Sequence, residues 1–330
     1  MSPGVLLVIP PGLPATAGNC VSARRLAKWL GRTGVPARIV EAASGLAAPR
    51  GCGIIHAFHA LQAGEAARDL ACRTGLPLVV TLTGTDLGHG DTAALRRVAG
   101  EAAVMIAYHG EAKDTFLKQL PGLPTPVEVI SPGVEMPVSG PRRRAPWGWE
   151  REEIVFLLPS GIRWVKDPGF AVGPLAELRA RGLPVRLAVA GPVREEGAAA
   201  ALRQAMGGLS WASCLGEVPH ERMDGLLRAA DVVVNTSRSE GLSNAVLEAM
   251  AAGRPVLASD IAGNRAAVRH AEDGLLYRDR ADFLRWAERL AVSPALRARL
   301  GEAARRSAST RFSPLAEARA HARLYRLASR

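Results

Sequence analysis

The 330-residue chain is poor in aromatic residues, which make up 5% of it. That is too few for the stacking platforms that hold single-stranded nucleic acid. No nucleic-acid-reading motif appears either, so no nucleic-acid partner is expected. Cysteine is scarce too. Cys20, Cys52, Cys72 and Cys214 form no C-x-x-C pair, which argues against a structural zinc site. A chain this long can build a core without staples, so a reduced cytoplasm is the simplest setting. No apolar run approaches the roughly 20 residues of a membrane-spanning helix. The first run, VLLVI at 5–9, stops at Pro10 and Pro11. The start also lacks the basic region and small-residue cleavage site of a signal peptide. Fixed-period repeats and low-complexity tracts are missing as well.

What is present has the balance of an ordinary globular protein, with 48% hydrophobic and 22% charged residues, and a largely disordered chain is excluded. Lys and Arg number 42 against 31 Asp and Glu, a net charge of +11. The excess is mostly Arg spread along helices, which reads as a solvated basic surface. The sharper alternative is attraction to polyanions such as nucleotide diphosphates or an acidic membrane face.

Short apolar runs alternate with amphipathic stretches. Strands are expected at 5–9, 36–41, 53–56, 77–82, 102–107 and 127–130, with helices at 20–31, 62–74, 92–99 and 110–119. Residues 137–150 (PVSGPRRRAPWGWE) combine proline, glycine and an Arg triplet and read as a linker. Alternation then resumes, with strands at 154–159, 185–190, 231–234 and 255–258 and helices at 168–181, 220–229, 243–252 and 281–308. A last helix at 314–329 opens on Ser313 and Pro314, an N-cap and first-turn pair. The fold class is α/β, with parallel sheets covered by helices on both faces. The expected division is 1–140, 150–312 and a C-terminal helix at 313–330, a candidate to pack back on the first domain.

The most informative stretch is Asp231 to Pro255, DVVVNTSRSEGLSNAVLEAMAAGRP. A buried strand ends in a polar loop, and a helix begins near Ser243. Backbone N–H groups at Leu242, Ser243 and Asn244, with the positive end of the helix dipole, form an anion site suited to a diphosphate. Gly241 permits close backbone approach. Glu240 and Glu248 flank this site. A carboxylate repels phosphate, so both suit sugar hydroxyls. The alternative is an acid favouring the helix N-terminus and a solvated helix residue.

Glu240 and Glu248, with seven residues between them and followed by Ala249 to Val256 (AMAAGRPV), resemble the E-x7-E signature of family 4 glycosyltransferases. The resemblance implies a retaining enzyme of the GT-B fold, with two facing Rossmann-like doubly wound domains and an interdomain cleft. The C-terminal domain would hold the donor. Glu248 would bind the nucleotide ribose, Glu240 would lie by the sugar, and the Gly241–Asn244 backbone would hold diphosphate and sugar. Arg163 and Lys166 follow strand 154–159 in SGIRWVKDP. Two cations there would neutralise the departing diphosphate. The family spaces this pair more widely, and Lys166 is the firmer member. Ala190-Gly191-Pro192 resembles the family's next strand end, and Leu215 to Val218 the segment lining its base pocket, where backbone near Glu217 and Val218 would read the base. Gly263 and Asn264, and the EDGLLYR turn at 272–278, support the fold.

The N-terminal domain is expected to bind the acceptor. Gly18, Asn19 and Ser22 open a helix in a loop resembling the first GT-B loop, which lies beside the donor, so the resemblance makes Gly18 and Asn19 donor-binding candidates. Asp86, after strand 77–82, would bind hydroxyls or cap the next segment. His109 is a sugar-contact candidate. His56 and His59 lack a third metal ligand and read as core or edge histidines. The resemblance implies no metal and no cofactor beyond the substrate nucleotide sugar, with UDP as the expected nucleotide and an unidentified acceptor. Peripheral membrane contact is compatible with the family.

Three elements are narrower: Gly18-Asn19-x-Val-Ser-Ala, Thr83-Gly84-Thr85-Asp86 and Arg163-x-Val-Lys-Asp-Pro168. They resemble the short orphan glycosyltransferase 1 domain-containing branch, and also the selenosugar synthases of selenoneine biosynthesis, which join a nucleotide-activated N-acetylglucosamine to selenophosphate. Transfer from a UDP-sugar is the primary expectation. A selenosugar or thiosugar synthase, whose small anionic acceptor would suit the basic Gly18–Arg25 region, is the first alternative. A non-catalytic nucleotide-sugar-binding protein is the second.

Overall fold

The computed structural model describes residues 4–87, 91–136 and 140–329. The described residues of Met1–Gly133 and Phe312–Arg330 form one compact unit, and those of Val134–Arg311 form another.

The first unit alternates β1 (Gly4–Ile9), α1 (Gly18–Arg32), β2 (Ala37–Glu41), β3 (Cys52–Phe58), α2 (Gly64–Thr74), β4 (Leu78–Thr81), α3 (Thr92–Glu101), β5 (Val104–Ala107), α4 (Gly110–Gln119) and β6 (Val127–Val129). The strands pair in parallel, in the order β2-β1-β3-β4-β5-β6. A sheet covered on both faces needs strands that are apolar throughout, and β1 meets that need. Its Leu6 and Val8 enter one core, while Val5, Leu7 and Ile9 enter the other.

The second unit begins with a 3-10 turn at Ala145–Trp147. It continues through β7 (Ile154–Pro159), a 3-10 turn at Trp164–Lys166, α5 (Val172–Ala180), β8 (Val185–Ala190), α6 (Glu196–Met206), β9 (Ala212–Gly216) and α7 (His220–Ala229). Then come β10 (Val232–Asn235), α8 (Asn244–Ala251), β11 (Val256–Ser259), α9 (Ala262–Ala267), β12 (Leu275–Tyr277), α10 (Arg280–Val292) and α11 (Pro294–Arg311). Its parallel sheet has the order β12-β11-β10-β7-β8-β9.

Four differences from the sequence expectation have physical causes. The helix expected at 281–308 is two helices. Pro294 has no N–H to continue the ladder, and Ser293 Oγ accepts from Leu296 N at 3.2 Å, capping the second. β9 was missed because this edge strand is half-exposed and lacks a continuous apolar run. β12 spans only three residues and reads as a turn in sequence. The linker is not free: Arg142 Nη2 donates to Asp231 Oδ1 at 2.6 Å, and Arg144 pairs with the same carboxylate. Residues 140–150 thereby belong to the second unit, and the chain leaves the first at Gly133 rather than after residue 140. Residues 137–139 of that stretch lie outside the described residues.

The last helix, α12 (Pro314–Ala328), belongs to the first unit. Ser313 caps it, and Ala318, Ala322 and Tyr325 pack into the core shared with Cys20, Ala23 and Leu26 of α1. Among the described residues, no helix is long and apolar enough to cross a membrane.

Candidate functional site

β7 and β10 are neighbours at the centre of the second sheet, and the strand order turns there. β8 and β9 extend beyond β7, while β11 and β12 extend beyond β10. Loops leaving the carboxyl ends at such a point diverge and leave a crevice. The two loops are tied together. Arg238 N donates to Val165 O at 2.8 Å, and Thr236 Oγ1 donates to Lys166 O at 2.7 Å. Arg238 also pairs with Asp167 at 2.9 Å.

That tie brings Lys166 to Glu240. Lys166 Nζ donates to Glu240 Oε1 at 2.5 Å. Ser237 Oγ and Asn235 Nδ2 donate to the same oxygen at 2.7 and 3.2 Å. Burial pushes the Glu240 carboxyl up, but the Lys166 charge and these hydrogen bonds outweigh it and hold it below its usual range. Lys166 keeps 17% of its side chain exposed and Glu240 10%, so the pair is reachable. Gly263 makes the loop position feasible. A Cβ there would stand 2.4 Å from Glu240 O.

α8 starts beside this pair. Ser243 is its N-cap and accepts from Val246 N at 3.4 Å. Gly241, Leu242 and Ser243 are buried and Asn244 is half-buried at the first helical position. Glu248 is half-buried within α8, and Arg163 is half-buried just before the Trp164–Lys166 turn. A cation paired with a carboxylate next to the start of a helix suits an anion. Phosphate oxygens would compete with Glu240 for Lys166 and accept from the helix start. At the end of β9, Glu217 is exposed and Val218 buried.

The sequence expectations placed Lys166 on phosphate and Glu240 on sugar, without pairing them. Asn235 and Asn264 were not singled out as site residues. A polar residue closing the apolar run VVVN was the available signal for Asn235, whereas the approach of Asn264 depends on tertiary folding.

The first unit's candidates are placed differently. Asp86 is fully buried, and both its oxygens are occupied. Oδ2 accepts from Thr83 N at 2.6 Å and Oδ1 from Leu61 N at 3.3 Å. His59 Nδ1 lies 2.6 Å from Oδ1 and accepts from Leu61 N and Gln62 N, each at 3.2 Å. The carboxylate ties the loops after β3 and β4 and also accepts from Thr83 Oγ1 at 3.2 Å, and the N-cap of α3 is Asp91. His109 caps α4, its Nδ1 accepting from Ala112 N at 3.2 Å. Gly18 opens α1 and is exposed, with Asn19 half-buried beside it. Arg25 is buried against Glu317 at 3.1 Å, so it is not available to an anion near Gly18. His56 bonds Tyr325 and Thr81 within the core. No group of three or more metal-ligating side chains occurs among the described residues.

Residues 153–292 match the family described as glycosyl transferases group 1, and Arg163, Lys166, Glu240 and Glu248 all fall inside the match. The chain is similar to glycosyltransferase 1 domain-containing protein 1 of Xenopus tropicalis, with 31% identity over 48% of this chain and 46% of that protein. It is also similar to the D-inositol 3-phosphate glycosyltransferase of Rhodococcus erythropolis, with 31% identity over 77% of this chain and 63% of that protein. The chain thus spans about half to three-fifths of the length of these curated relatives. Among solved structures, Anabaena HepE in complex with UDP and glucose aligns with a TM-score of 0.82 and 18% identity, over 98% of this chain and 100% of that one. Sucrose-phosphate synthase from Thermosynechococcus elongatus aligns with a TM-score of 0.84 and 18% identity, over 98% of both chains. These likenesses show the fold: α/β, GT-B, with two Rossmann-like parallel-sheet units.

Proposed function

We propose that the protein is a glycosyltransferase that takes a sugar from a nucleotide diphosphate, with UDP as the nucleotide. The observation that carries this reading is the Lys166–Glu240 pair beside the start of α8, at the carboxyl ends of β7 and β10. Relatives named as glycosyltransferases, and a structural neighbour solved with UDP-glucose, support it.

On donor binding, Lys166 leaves Glu240 for the diphosphate, with Arg163 as the second cation and the α8 amides as further donors. Glu248 takes the ribose hydroxyls. Glu240, keeping Ser237 and Asn235, faces the sugar. As the bond from the anomeric carbon to the β-phosphate oxygen breaks, these donors stabilise the charge gathering on the leaving diphosphate. The acceptor attacks the oxocarbenium-like centre from the same face, and its proton passes to the departing phosphate oxygen, so configuration is retained. The cysteine usage suits a reducing, cytoplasmic setting.

The test is thermal unfolding of the purified chain with UDP, GDP and ADP. UDP is expected to raise Tm, with about 2.7 kcal/mol of added stability at a hundredfold excess over Kd. Glu248→Ala is expected to abolish the rise. No shift with any of the three nucleotides would overturn the donor reading.

A further inference from the structure

Asn235 and Asn264 form a carboxamide relay behind Glu240. Asn264 is fully buried and Asn235 is 9% exposed. Asn235 uses both ends of its amide. Its Oδ1 accepts from Ser237 N at 3.1 Å and from Asn264 Nδ2 at 3.0 Å. Its Nδ2 donates to Glu240 Oε1 at 3.2 Å and to Ser243 Oγ at 3.3 Å. The two ends of a carboxamide have nearly the same shape, so packing alone does not choose between them. A turned Asn235 would press Oδ1 against the Glu240 carboxylate and Nδ2 against two N–H donors.

Asn264 is itself fixed from behind. Its Nδ2 donates to Ser259 O at 3.0 Å and lies 3.1 Å from Ser259 Oγ, which donates to Ser237 O at 2.6 Å. The Asn264 Oδ1 atom is buried and has no partner among the described residues. A buried acceptor left unpaired costs stability that an aliphatic side chain of similar volume would not. The amide is therefore a poor choice for packing and a good one for delivering an N–H to Asn235.

We propose that Asn264 is a positioning residue acting through Asn235, fixing which end of the Asn235 amide faces Glu240 and the Ser243 cap. The inference rests on the donor-site reading above. When phosphate draws Lys166 away, the Asn235 and Ser237 donors keep Glu240 ionised and aimed at the sugar. Lys166 is the charged group in contact with Glu240. The Asp167–Arg238 and Asp260–Arg265 pairs and Glu248 sit on the surrounding elements and are unchanged by the substitutions below.

The experiment follows the Glu240 carboxyl by carbon-detected NMR titration in the whole chain, for wild type, Asn264→Leu and Asn264→Asp, with UDP calorimetry on each. In Asn264→Leu the Glu240 midpoint moves up, whatever stability the lost bonds to Asn235 and Ser259 cost. In Asn264→Asp the midpoint moves up further, by about one pH unit or more, because Asn235 turns its N–H towards the new carboxylate. A role in packing alone would leave the midpoint in place. A midpoint unchanged in Asn264→Leu overturns the proposal, and that variant decides alone if Asn264→Asp does not fold. Wild type that fails to bind UDP would instead remove the donor reading, whatever the titrations show.

Discussion

Each unit buries a polar cluster, and the two are built for opposite ends. In the first unit, Arg25 and Glu317 pair at 8% and 4% side-chain exposure, and Glu317 Oε2 also accepts from Gly133 N at 2.9 Å. His321 Nδ1 donates to Glu317 O at 2.9 Å, and His56 Nδ1 meets Tyr325 Oη at 2.6 Å. The bonds of Glu317 to Arg25 and Gly133 and of His56 to Tyr325 join segments 184 to 292 residues apart and fasten α12 to the rest of the unit. In the second unit, Lys166 and Glu240 stand on loops at strand ends and remain accessible. A buried charge pair with every partner supplied by the chain works as a staple. A pair whose cation is only half-buried, beside the start of a helix, can exchange its partner for a ligand.

The comparison predicts the largest loss for Glu317→Ala. It strands the buried Arg25 charge and the Gly133 N–H, so denaturant unfolding should show about 3–5 kcal/mol lost, while the folded fraction binds UDP as before. A loss near zero would break the contrast. Gly263→Ala comes next. Its Cβ would meet Glu240 O at 2.4 Å, so a cost of about 1–3 kcal/mol is expected. Unlike the Glu317 change, it should weaken UDP binding, because the Glu240 loop must move. Lys166→Ala and Glu248→Ala should each lower kcat/KM for the UDP-sugar at least tenfold, about 1.4 kcal/mol, with a smaller effect on stability than Glu317→Ala. Unchanged turnover in both would remove the donor site.

The smallest effect is graded by pH. Burial holds His56 and His321 below the ordinary 6.5, and their mutual repulsion lowers His56 further. As pH falls below about 6.5, the unfolded chain takes up protons that the folded chain refuses, so stability declines. Glu240 is depressed as well, so its contribution is complete above 4.5 and is lost only as pH falls through its lower folded value. Between pH 6.5 and 4.5 the decline therefore belongs to the first cluster. Stability curves of wild type and His321→Gln would check this, with the variant flatter in that window.

The two clusters also differ in how far sequence reveals them. The long apolar strands of both sheets are visible because a doubly covered strand must be apolar throughout. The start of α8 is visible because Gly241, Ser243 and the two glutamates stand at fixed spacing around it. The Lys166–Glu240 pairing is not visible. It depends on β7 and β10 becoming neighbours although 74 residues separate the two side chains. The burial of Asp86 is hidden from the sequence for a related reason. A carboxylate after a strand can point outwards or turn inwards to tie loops, and only the approach of His59 and Leu61 decides. The first unit's staple lies 292 residues apart in sequence, beyond any local pattern.

The most direct measurement is a crystal structure of the chain with UDP. It should show the pyrophosphate within hydrogen-bond distance of Lys166 Nζ and the α8 amides, the ribose on Glu248, and Lys166 no longer on Glu240. A nucleotide lodged elsewhere, with the Lys166–Glu240 bond still closed, would contradict the account.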